Sequence, residues 1–127
     1  MTDESKLKLL RPSLVIIGII FIGGIWLLGQ LWPSGWLWHE SGRSHYHEMI
    51  MVVYATLGIF LIYASRNPLK HRSLLWFTAW SSITHGAVMA FQSFSPGDHI
   101  GHLWGDVLAL FLVAAWLILL IPKESSV

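Results

Sequence analysis

Ionisable side chains with the chemistry of metal ligands recur within hydrophobic stretches of this 127-residue sequence. His99, His102 and Asp106 follow one another in steps of three and four residues, a spacing that places them on one face of a helix. His85 precedes them in another apolar stretch, and Glu48 lies near the start of a third. Because ionisable groups are costly inside a bilayer, several of them at one depth predict a functional site.

The sharpest hypothesis for this site is a bound divalent metal ion. Imidazole and carboxylate ligands suit zinc, iron, copper and manganese, and bundles of helices often build such sites from facing side chains. The predicted ligands are Glu48, His85, His102 and Asp106. The predicted reserve ligands, or hydrogen-bonding groups that orient the first four, are His45, His47, Gln92 and His99.

A structural network is the main alternative. In this interpretation His102 and Asp106 form a hydrogen-bonded pair, which is satisfied by His85 or by hydroxyl groups on the preceding helix. His45 and His47 then lie at the lipid headgroup level in the first turn of their helix. The protein would be a structural or accessory membrane subunit and would need no chemistry from its histidines.

Two further hypotheses use the same residues. A b-type haem could be held between His85 and His102, although two carboxylates would crowd an otherwise apolar pocket. The predicted pocket lining is Trp80, Phe91 and Trp104. Transport of protons or cations is the other hypothesis, but the ionisable groups stop at mid-membrane. We find no recognisable hydrolase or oxidase motif, so the sequence favours binding over catalysis.

The composition indicates a membrane protein. Hydrophobic residues make up 54% of the chain and charged residues 12%, whereas soluble domains have about 25% charged residues. The sequence has no cysteine, which excludes disulfides, iron–sulfur clusters, thiolate zinc sites and c-type haem attachment. It also has no dense basic patch, so nucleic acid is not an expected partner. The expected partners are the lipid bilayer and either further copies of the chain or another membrane subunit.

Four apolar runs are long enough to cross a bilayer, which takes about 20 residues. They predict an all-α, antiparallel four-helix bundle, a single transmembrane domain over residues 1–127 with helices at about 13–32, 45–65, 73–94 and 99–121. Ser44 and Asp98 are predicted N-caps. Three tryptophans of the first loop are predicted to lie in the aromatic belt: Trp32, Trp36 and Trp38. Small residues predict close packing of the last two helices, namely Ser82, Gly86, Ala90, Gly101, Gly105 and Ala109.

The distribution of Lys and Arg predicts the orientation. Three basic residues lie at 6–11 and three at 66–72, whereas the first loop has only Arg43 and the last loop has none. By the positive-inside rule, both termini are cytoplasmic and the histidine-rich side faces outwards. His39 and His71 are predicted to be exposed loop residues.

Three motifs carry a resemblance to a known type of protein. They are HYHEM from His45, WSSITHGAVM from Trp80 and GHLWGD from Gly101. Together they resemble small uncharacterised bacterial four-helix membrane proteins over residues 45–121. In length and number of spans the chain is also similar to DoxX-like proteins. The resemblance implies a bacterial inner membrane and implies no particular reaction.

Overall fold

The computed structural model of the chain describes residues 1–38, 44–97 and 99–124. Within these ranges the secondary structure is helical, with no strand. The helices are α1 (Asp3–Leu31), α2 (Pro33–Trp36), α3 (His45–Ala64), α4 (Arg72–Gln92) and α5 (Asp106–Leu120). A π-helical turn, Ile20–Gly24, interrupts α1, and 3₁₀ turns at Pro68–His71 and Ile100–Leu103 precede α4 and α5.

Among the described residues, three segments are long and apolar enough to cross a membrane: Asp3–Leu31, His45–Ala64 and Ile100–Leu120. Large apolar side chains lie on their outer surfaces, and Trp26 and Leu112 are 58% and 60% exposed. Soluble monomers rarely expose apolar surface continuously over several helices. The exterior of the molecule therefore suits contact with lipid, as the composition predicts.

Helix α1 begins ten residues earlier than the predicted span at about 13–32, because its first turns are polar but well capped. The Thr2 hydroxyl accepts a hydrogen bond from the Ser5 backbone N–H at 3.2 Å. Asp3 and Glu4 occupy the first turn, where carboxylates interact favourably with the helix dipole. The apolar run thus marks only the part of α1 that suits a bilayer. In α3 the predicted cap is confirmed, since the Ser44 hydroxyl accepts from His47 N–H at 3.3 Å.

Helix α5 begins at Asp106 and not near residue 99, because two glycines bring the chain against α2. A Cβ atom on Gly105 would lie 2.2 Å from the Gly35 carbonyl oxygen, and one on Gly101 would lie 2.7 Å from the Ser34 carbonyl oxygen. Gly101 and Gly105, which were predicted to allow close packing against the preceding long helix, therefore lie against the backbone of α2. The predicted cap Asp98 lies outside the described residues.

Residues from all four long helices meet in one buried apolar core at the end of the molecule that is rich in Lys and Arg. This core includes Leu10, Leu14, Leu61, Leu75, Leu117 and Leu120. α1 and α3 approach closely, since a Cβ on Gly18 would lie 2.6 Å from the Gly58 carbonyl oxygen. At the other end, a smaller cluster of Met89, Val107 and Leu110 packs beside Trp38. The histidine-rich groups lie at this second end.

Candidate functional site

A hydrogen-bonded network joins the start of α5 to the segment that follows α2. His102 Nδ1 lies 3.0 Å from Asp106 Oδ1, and the Trp38 indole N–H donates to Asp106 Oδ2 at 2.8 Å. The second ring nitrogen of His102, Nε2, lies 3.0 Å from the Leu37 carbonyl oxygen. His102 is 1% exposed and Asp106 8% exposed, so the network lies in the interior. It ties residues 37 and 38 to α5.

Both ring nitrogens of His102 face acceptors, which fixes the number of protons in the network. A neutral imidazole has one N–H, but Nε2 must donate to the Leu37 carbonyl and Nδ1 must share a proton with the Asp106 carboxylate. All contacts are satisfied either by imidazolium with carboxylate or by neutral imidazole with carboxylic acid. In both forms His102 and Asp106 together carry no net charge, which suits a buried position.

Trp38 is half-buried and packs against the histidines of this network, whereas the sequence analysis expected it to face the lipid headgroups. Its ring stacks on His102 with the centroids 3.9 Å apart and on His99 with the centroids 5.3 Å apart. Its indole N–H is bonded to Asp106. The stacked imidazoles and the carboxylate together satisfy both the face and the N–H of the ring, and the position of Trp38 in an aromatic belt stays a prediction.

A second polar pair lies between α3 and α4. The Tyr54 hydroxyl lies 2.5 Å from His85 Nδ1, and the Tyr54 ring packs edge-on against Phe21 with the centroids 5.0 Å apart. Tyr54 thus fills the place beside His85 that the sequence analysis gave to Asp106. The hydrogen bonds found among the described residues give His85 and Asp106 different partners.

A cavity of about 280 Å³ separates these two polar groups. α1 contributes its π-helical turn and the residues after it, and the other walls come from α3, α4 and α5. Trp36 and Trp38 also line it. The apolar lining is Ile20, Phe21, Ile25, Leu28, Ile50, Met51, Met89, Ala109, Leu110 and Val113, and the polar lining is His47, Tyr54, His85 and Asp106 together with the two tryptophans. Three predicted site residues, His47, His85 and Asp106, therefore share one cavity.

The remaining predicted site residues lie elsewhere. Glu48 and His45 line an open groove with Met49 and Val52 on the outside of α3. Gln92 is exposed at the end of α4, and His99 stacks on Trp38. Within the part of the chain that the structure describes, no three His, Asp or Glu side chains are grouped so that they could hold a metal ion. Metal binding by Glu48, His85, His102 and Asp106 stays a prediction, and this geometry gives it no support.

The haem hypothesis meets two geometric obstacles. Both nitrogens of His102 already make hydrogen bonds, so neither is directed at an open position. The residues predicted to line the haem pocket are on the outer surface: Trp80 is 59%, Phe91 84% and Trp104 73% exposed. Haem binding therefore also stays a prediction without support.

The loop histidines have different outcomes. His71 is half-buried and packs edge-on against Tyr63 with the ring centroids 5.4 Å apart, so it is less exposed than expected. His39 lies outside the described residues.

Sequence reasoning missed Tyr54, Trp36 and the Leu37 carbonyl as parts of the site. Tyr54 had a detectable signal, because it follows His47 at seven residues on the same face of α3, with Met51 between them. The Leu37 carbonyl and Trp36 had none, because a loop backbone has no periodicity and tryptophans near a membrane are usually interfacial.

Comparison with known families shows to which family the chain belongs. The model of DUF6632, a family of unknown function, matches residues 4–126. The chain belongs to this family. No curated protein and no solved structure matches the chain. Membership therefore assigns no activity, and the similarity to DoxX-like proteins stays a prediction.

Proposed function

We propose that this protein is a four-span membrane protein that binds a small, largely apolar molecule in the cavity between α1, α3, α4 and α5. The observation that supports the proposal is the cavity itself, about 280 Å³ in volume and lined by apolar side chains with a few polar groups. Such a composition is typical of sites for small organic molecules, and a purely apolar cavity of about 150 Å³ is large enough for benzene. The ligand would thus be somewhat larger than benzene.

The proposal needs α4 to be the fourth span, although α4 is less apolar than the other three helices. Its buried hydroxyl groups are satisfied within the helix, because Thr78 donates to the Leu74 carbonyl at 2.8 Å and Ser82 donates to the Thr78 carbonyl at 2.6 Å. Its outer surface is apolar, with Phe77 63% and Val88 55% exposed. A helix with inward-facing, satisfied polar groups and an apolar exterior is suited to lipid.

The His102–Asp106–Trp38 network would hold residues 36–38, here called the tryptophan segment, over the cavity. Trp38 is bonded to Asp106 and Leu37 to His102, so residues 37 and 38 are fixed to the start of α5. In this view His102 and Asp106 have the structural role that the sequence analysis considered. That role serves a binding site, because the same segment contributes Trp36 and Trp38 to the cavity wall.

Filling the cavity tests the proposal. Ala109 lines the cavity, whereas Ala115 is exposed on the outside of the same helix. Ala109→Phe should abolish binding of the bicyclic hydrocarbon tetralin, and the matched control Ala115→Phe should leave it unchanged. Binding is measured as the rise in the unfolding midpoint of the detergent-solubilised protein with increasing tetralin, because a ligand that binds the folded state stabilises it by mass action. Equal rises for both variants would refute the proposal.

A further inference from the structure

Among the described residues, the indole nitrogen of Trp36 is the one buried side-chain nitrogen or oxygen atom that lacks a hydrogen-bond partner. The Trp36 Nε1 atom is buried and has no hydrogen-bond partner among the residues that the structure describes. By contrast, Trp38 donates to Asp106 at 2.8 Å, and Trp116 donates to the Ser13 hydroxyl at 2.8 Å even though it is partly exposed. Buried donors are nearly always paired, so an orphan calls for a specific explanation.

The position of Trp36 indicates what kind of group could accept a hydrogen bond from its indole N–H. Trp36 lines the same cavity that we propose as the ligand site, and α2 is held there by its contact with Gly105. An indole N–H can only donate, so its partner must be a hydrogen-bond acceptor. The other polar groups of the wall are engaged: Asp106 accepts from Trp38 and shares a proton with His102. Tyr54 is bonded to His85.

We infer that the ligand is a neutral, mostly apolar molecule of about bicyclic size with a carbonyl oxygen that accepts a hydrogen bond from Trp36. This inference rests on the proposed function and specifies its ligand class. A carbonyl supplies the required acceptor without bringing a charge into a low-dielectric cavity. A carboxylate ligand fits less well, because an unpaired charge is much more costly than a neutral acceptor to bury against this apolar lining.

The test compares two probes of nearly the same shape, the ketone α-tetralone and the hydrocarbon tetralin. Their affinities for the detergent-solubilised protein are measured by the same thermal titration. For the wild-type protein the ketone should bind roughly fivefold to tenfold more tightly, which is the effect of one neutral hydrogen bond. Partitioning into micelles differs between the probes but is the same for every variant, so the ratio of affinities is compared between variants.

Trp36→Phe keeps an aromatic ring in the wall and removes the N–H, and it should reduce the affinity ratio to the value expected from partitioning alone. Trp26→Phe, at a side chain that is 58% exposed, should leave the ratio as in the wild type. An unchanged ratio in Trp36→Phe overturns the inference. If wild-type protein binds both probes with no preference, the inference fails and the proposed function stands, whereas binding of neither probe overturns both.

A spectroscopic measurement on the wild-type protein does not depend on the folding of the variant. In a ¹⁵N-labelled sample each tryptophan gives one indole N–H resonance. The resonance of Trp36 is assigned in the wild-type protein by correlating its indole ring with the assigned backbone of the same residue. Addition of α-tetralone should move this resonance downfield, as expected for a new hydrogen bond, and tetralin should not. Equal shifts with both probes would contradict donation to a carbonyl.

Discussion

At the residue scale, the network assigns Asp106 a role in hydrogen bonding that does not need its negative charge. An asparagine at this position could accept from the Trp38 indole through its oxygen and donate to His102 Nδ1 through its amide nitrogen, with His102 Nε2–H still donating to Leu37. We therefore expect Asp106→Asn to change the free energy of unfolding by less than about 1 kcal/mol. Asp106→Leu should cost about 2–4 kcal/mol, because it leaves two buried groups without partners.

Unfolding of both variants is followed by tryptophan fluorescence during titration with a denaturing detergent. Asp3→Leu, at an exposed position in the first turn of α1, is the control for the general effect of replacing an acid by an apolar residue. If Asn were as destabilising as Leu, the carboxylate itself would be required. That result would favour the metal or proton-transfer hypotheses for His102 and Asp106.

The same residues show how far sequence reasoning reaches at this scale. His102 and Asp106 could be paired from their spacing alone, since side chains four residues apart on a helix are neighbours. The sequence analysis expected His85, or hydroxyl groups on the preceding helix, to satisfy that pair, but the partners are Trp38 and the Leu37 carbonyl. Neither could be predicted, because a backbone carbonyl is present in every residue and its availability depends on how a loop is folded.

At the element scale, the contact between α2 and the start of α5 should be sensitive to a single methyl group. Gly105→Ala would place its Cβ against the Gly35 backbone, which cannot move as a flexible side chain can. We expect a loss of stability of roughly 1–3 kcal/mol from overpacking, together with loss of tetralin binding as the tryptophan segment is displaced. Gly23→Ala is the matched control, because a Cβ on Gly23 meets no atom within 4 Å.

Thermal unfolding and the tetralin titration are measured for both glycine variants. If Gly105→Ala kept its tetralin affinity while Ala109→Phe lost it, the cavity would not depend on the position of α2. Trp36 and Trp38 would then not contribute to tetralin binding, and the hydrogen-bonding role proposed for Trp36 would have to be abandoned.

Helix ends illustrate what a hydrophobic pattern can and cannot predict at this scale. α3 and α4, at His45–Ala64 and Arg72–Gln92, lie close to the expected 45–65 and 73–94, because polar turns bound both apolar runs. The start of α5 differs because a glycine-dependent approach of α2 interrupts the run, and the start of α1 differs because hydrogen bonds and charges extend a helix beyond its apolar part. Tertiary contacts and caps set these two ends, and hydropathy does not report them.

At the scale of the whole molecule, the two ends of the helices differ in packing and in charge. The basic end contains a close-packed core, whereas the other end contains the cavity and the His102–Asp106–Trp38 network. All-helical structure was predicted from the apolar runs and is confirmed, since the described residues contain helices and no strand. The cavity was not predicted, because its volume is the space left by side chains from helices that are distant in sequence, and a sequence pattern does not give their relative positions.

The orientation of these ends in the membrane can be measured directly because the chain has no cysteine. Ser5 and Ser95 are both exposed, the first near the basic end and the second in the turn after α4 near the cavity. If Lys and Arg set the orientation, a membrane-impermeant maleimide should label Ser95→Cys in intact cells and Ser5→Cys only after permeabilisation. The cysteine-free wild type is the control for unspecific labelling. The opposite pattern would place the cavity on the cytoplasmic side, and its ligand would then have to be sought in the inner leaflet.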